Sequence, residues 1–107
     1  MSQQAYDNFQ KVDQQLNEVY QQITNLYASD TVFVERLRAS QRIWVQFRDA
    51  ELAMKYPPRG ADHYGSIHPV CRAYYLRDLT EERIETLNHW LDSSEESEAC
   101  TGSVMVK

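Results

Sequence analysis

A chain of 107 residues has room for one hydrophobic core and not comfortably for two. Hydrophobic residues make up 42% and charged residues 25%, the composition of an ordinary globular domain. The net charge of −5 argues against a surface that tracks nucleic-acid phosphates, and no apolar run approaches the ~18 residues a membrane span needs.

The first ten residues, "MSQQAYDNFQ", lack the basic start and apolar centre of a secretion signal. All Gly and Pro residues fall between Pro57 and Gly102, so the first half of the chain holds no helix breaker. Tyr6, Phe9, Val12, Leu16, Val19, Tyr20, Ile23 and Tyr27 recur mostly in steps of three and four, which predicts a helix over 4–28. Ser29 and Asp30 offer N-caps for a second helix from Thr31 to Tyr56, with Phe33, Leu37, Ser40, Trp44, Phe47 and Met54 as its stripe. So short a connection predicts an antiparallel hairpin. Pro57 stops the second helix, and "PPRGADHYG" over 57–65 is the one loop with room for a shape of its own.

Ser66 is positioned to cap a short third helix reaching about Arg77, with Pro69 tolerated in its first turn. "DLTE" has capping-box spacing and predicts a fourth helix from Asp78 or Thr80, facing inward through Leu79, Ile84, Leu87, Trp90 and Leu91. From Ser93, "SSEESEACTGSVMVK" loses periodicity and reads as an acidic, mobile tail. The expected architecture is a single all-α domain over 1–92: a small bundle built on a long antiparallel helical hairpin plus two shorter helices, with the tail over 93–107.

Charged groups lie at the edges of the packing faces. At about 100° per residue, Arg48 and Glu51 project about 40° and 20° from Trp44, whereas Asp49 points away toward Arg38 and Arg42. Asp13 flanks Leu16 on the first helix and Arg83 flanks Leu87 on the fourth. We expect Asp13, Arg48, Glu51 and Arg83 to form a structural polar clamp around Trp44, the core anchor. Arg48 would lie over the indole and reach Glu51 or Asp13, because an arginine buried without a partner is costly. Catalysis by Asp13 with Glu51 would require a cleft that joins them.

Neither the spacing of His63, His68 and His89 nor any phosphate loop or nucleophile motif calls for a metal or cofactor, and the histidines read as surface groups. Cys71 and Cys100 form no disulfide framework; free thiols are favoured over a bridge. Tyr56, Arg59, His63 and Tyr64, in and beside the 57–65 loop, are the candidate partner contacts.

Four stretches resemble a known family. "VDQQLNEVYQQI" resembles its A-D-x-x-L-N-x-x-Y element, and "ASQRIWVQFRDAE" its A-Q-x-x-W-x-x-x-R-D-A-E-C element. "GSIHP" followed by "LTEERIETL" resembles G-S-x-x-P and L-T-x-x-R-x-x-x-L. Order and spacing agree over most of the chain, and the family is the LprI-type lysozyme-inhibitor-like family of small helical bacterial proteins, mostly of unknown function. The resemblance implies a helical fold strongly and an activity weakly.

It also marks departures. Leu52, Tyr75 and Gln4 stand where the family has cysteines, so its bridge between the second and third helices is replaced at both ends. Such a loss suits a cytoplasmic, reducing compartment, the alternative being a periplasmic or secreted chain whose signal has been removed. If the register is right, Leu52 and Tyr75 touch.

The expected function is that of a non-enzymatic protein-binding module, with a basic lysozyme-type cell-wall hydrolase as the candidate partner for an acidic chain. The alternative is a structural or stress-related helical protein acting as a homo-oligomer, which a large exposed aromatic patch would favour.

Overall fold

The computed structural model describes residues 2–60, 62–92 and 100–105. These residues form three helices and no strand: α1, Ser2–Leu26; α2, Thr31–Lys55; and α3, His68–Asn88. The molecule is a rod of 55 × 23 × 20 Å. Its length exceeds the roughly 37 Å of a 25-residue helix.

Asp30 starts α2 as its N-cap, its carboxylate accepting the Phe33 N–H at 3.1 Å. At the other end Tyr56 leaves helical geometry at φ −126° and ψ 67°, as a residue before proline must. Contacts of Tyr27 with Phe33 and of Asp13 with Arg48 show α2 running back along α1. The closest backbone approach, however, is between α1 and α3, with α2 set further out.

Small side chains permit that approach. On α1 the buried residues are Ala5, Val12, Leu16 and Ile23, and on α3 they are Ala73, Thr80 and Leu87, seven apart. Leu16, Ile23, Tyr27, Leu37 and Leu87 form the central cluster, on which Val19, Phe33, Trp44, Ile84 and Trp90 pack.

The predicted third and fourth helices are one. "DLTE" is no helix start, because its side chains are engaged otherwise. Arg77 donates to Asp78 at 2.9 Å, and the Thr80 hydroxyl turns back to donate to the Leu76 carbonyl at 2.7 Å. Thr80 is fully buried in the Ala73–Thr80–Leu87 stripe, which a break at this point would put out of register. Nor does Ser66 cap α3: Ile67 occupies the N-cap position without a side-chain bond, and Pro69 lies in the first turn.

Two predicted faces are rotated. On α1, Ala5 is buried while Tyr6 is 50% exposed. On α2, Leu52 is buried, whereas Phe47 and Met54 are 51% and 69% exposed and Ser40 is also outside. The buried side of α2 is therefore centred nearer Arg48 than Trp44, because the arginine stem and Leu52 occupy the face that the larger apolar groups were expected to fill.

Most of the expected acidic tail lies outside the described residues. Its described part, 100–105, returns to the bundle: the Met105 N–H donates to the Tyr27 hydroxyl at 2.9 Å, and that hydroxyl donates to the Trp90 carbonyl at 2.8 Å. Cys71 is half-buried and Cys100 exposed, both as free thiols.

Candidate functional site

The polar groups of the bundle interior fall into two separate sets. Arg48, with a side chain 14% exposed, donates through Nη1 to Asp13 at 3.3 Å and through Nε to its neighbour Asp49 at 3.4 Å. Its guanidinium lies 5.3 Å from the Trp44 ring and 5.7 Å from that of Phe9. Asp49 thus faces Arg48 rather than Arg38 and Arg42, and Glu51 has no ion pair or hydrogen bond among the described residues.

Arg83 approaches Trp44 from α3, 5.9 Å from the ring, and meets neutral acceptors: Gln41 Oε1 at 3.0 Å and Ser40 Oγ at 3.1 Å. With no carboxylate to offset it, burial holds the Arg83 guanidinium below its ordinary pKa. The half-buried indole of Trp44 is thus flanked by two cations from different helices, and among the described residues Asp13 is the one acid that reaches across the bundle.

At one end of the rod, the last turn of α2, the 57–60 segment and the first turns of α3 enclose an open cleft of about 660 Å³. Pro57 and Pro58 set its rim, and a turn closes behind them through His63 N–H to the Gly60 carbonyl at 2.9 Å. Gly65 sits at φ +77°, a left-handed conformation that lets the chain swing into α3.

Aromatic rings hold this end together. Tyr56 and Tyr64 meet edge to face at 5.7 Å, His68 lies 4.4 Å from Tyr64 and 5.0 Å from Tyr56, and His63 meets Tyr64 edge to face at 4.8 Å. The Tyr64 hydroxyl donates to the Pro57 carbonyl, pinning the loop across its base.

Of the residues singled out from sequence, Tyr56, Arg59, Tyr64 and Arg48 line this cleft and His63 flanks it, whereas Asp13, Glu51, Trp44 and Arg83 do not. Arg59 and His63 are exposed; Tyr56 and Tyr64 are half-buried. Sequence reasoning missed His68, Arg72 and Leu76, which follow one another at helical spacing on α3 and supply the cleft's far wall. His68 is not a surface histidine: it is half-buried, and its Nε2 is out of water with no hydrogen-bond partner. The usable signal was the four-residue spacing of His68, Arg72 and Leu76 directly after a loop rich in Pro and Gly.

Leu52, where the resemblance implied a cysteine, is buried and lines this cleft. Tyr75, at the other such position, lies against the following turn of α2, its ring 4.3 Å from Lys55 Nζ and edge-on to Tyr56 at 6.4 Å.

No helix among the described residues is long and apolar enough to cross a membrane. Searches of curated proteins and of solved structures return no match. A family model described as lysozyme inhibitor LprI matches residues 1–87, which takes in all three helices to within one residue of the end of α3. On that span the chain belongs to the LprI family.

Proposed function

We propose that this protein is a non-catalytic binding module that inhibits a lysozyme-type cell-wall hydrolase, making contact through the 57–65 loop and the cleft behind it. The observation that carries this reading is the family match over residues 1–87, whose description names lysozyme inhibition. The loop suits such a contact because it is short, pinned by Tyr64 and proline-stiffened, so that little ordering entropy opposes binding. It presents Arg59 and His63 to solvent. Retaining glycosidases carry two carboxylates in their cleft, which an exposed arginine complements. The net charge of −5 favours encounter with a basic enzyme.

A non-enzymatic role is supported by the separation of the acids from the cleft: neither Asp13 nor Glu51 lines it, and Asp49 is held by Arg48. Calorimetric titration of the chain into a basic lysozyme at moderate salt tests the reading. Saturable binding that weakens at least about tenfold in Arg59→Ala is expected, the loss of one charge-assisted contact. Absence of heat at high concentration of both proteins would contradict it.

A second reading, self-association as a homo-oligomer, is favoured by one observation. Val32, Ile43, Phe47 and Met54 lie along the outer side of α2 and are 70%, 61%, 51% and 69% exposed. Under it, sedimentation gives a mass above the 12.6 kDa monomer that Phe47→Ser returns to the monomer value.

A further inference from the structure

We propose that the cleft between α2 and α3 is a binding site for a small organic carboxylate, held by Arg72 and Arg59 with its body against the apolar floor. Three arginines line the cleft on a chain that is acidic as a whole, and Asp49 is the single acid among the lining residues. Arg48 is already committed to Asp13 and Asp49. Arg59 and Arg72, in contrast, have no ion pair or hydrogen bond among the described residues.

Arg59 is exposed, and Arg72, half-buried as a residue, keeps its guanidinium in reach of water, so both forks can take an incoming acceptor. Two uncommitted guanidinium forks on the lining of one cleft define the complement: an oxyanion that accepts from a planar fork. Leu52 and Leu76 beneath them require that the rest of the ligand be apolar, which selects a carboxylate with a hydrocarbon or aryl body over inorganic phosphate. A volume of about 660 Å³ lies within the range of small-molecule sites.

This site shares its cleft and Arg59 with the proposed hydrolase contact, but its test reads Arg72 of α3 and a small ligand, so either reading can fail without the other. The test is a ¹H–¹⁵N titration of the full chain with sodium benzoate, and in parallel with inorganic phosphate, at matched ionic strength. Saturable benzoate shifts centred on Arg59, Tyr64, His68 and Arg72 are expected. Arg72→Gln should weaken the apparent Kd at least about tenfold, and Arg36→Gln, outside the cleft, should leave it unchanged. Should Arg72→Gln fail to fold, Arg72→Lys keeps the charge and removes the fork, and it must also weaken binding. Absent or non-saturating shifts, shifts indifferent to Arg72, or phosphate binding as tight as benzoate would each overturn the proposal.

Discussion

Arg48 shows how a charged residue can belong to a packing face. Its guanidinium lies over the rings of Phe9 and Trp44 and ends on Asp13 of α1, so a largely buried side chain serves both as part of the packing face and as a cross-bundle tie. Asp13 is 42% exposed, which limits the tie. A double-mutant cycle of Asp13→Asn with Arg48→Met, followed by urea denaturation, should give a coupling of about 0.5–1 kcal/mol. A larger share of the Arg48→Met loss should come from packing. Beside the α1–α2 connection Tyr27 is the counterpart: a buried ring whose hydroxyl serves both the Trp90 carbonyl and the Met105 N–H. Tyr27→Phe should cost about 1–3 kcal/mol, because it leaves both groups unserved. Trp90 fluorescence should shift as residues 100–105 come away. Unchanged stability and emission would show that this contact holds nothing.

The helices themselves test how far local signals reach. The stop at Pro57 and the cap at Asp30 were legible because each rests on one residue's own chemistry. The division at "DLTE" was misread because capping-box spacing says nothing about burial. Thr80 is drawn into the α1–α3 seam, and its hydroxyl is spent within its own helix. Thr80→Val, nearly the same shape, should therefore change stability by less than about 1 kcal/mol, whereas an N-cap threonine would lose about that much or more. Helical content by circular dichroism should be unchanged. Gly65 gives the opposite case. Space around it is open, but its φ of +77° strains any other residue, so Gly65→Ala should destabilise by about 1 kcal/mol without any clash.

Over the whole molecule, the all-α class and the family followed from periodicity and from the W-x-x-x-R-D-A-E segment, since long uninterrupted amphipathic stretches leave few alternatives. The rotation of α2 followed only in part: Arg48 was expected beside Trp44 and lies there, but hydropathy counts Phe47 and Met54 as inward and both are exposed. The cleft was half legible: Tyr56, Arg59 and Tyr64 were marked by the Pro/Gly loop, but the α3 wall of His68 and Arg72 depends on a tertiary juxtaposition that no local pattern encodes. What results is a rod with its polar tie in the middle, its tail returned to one end, and an arginine-lined cleft at the other. The reading as an inhibitor assigns function to that last end. Its most direct measurement is lysis of cell-wall substrate by a basic lysozyme, titrated with the chain at moderate salt. We predict saturable inhibition that is weakened at least about tenfold by Arg59→Ala and is unaffected by Phe47→Ser. Undiminished lysis at a large molar excess of correctly folded protein would contradict the account.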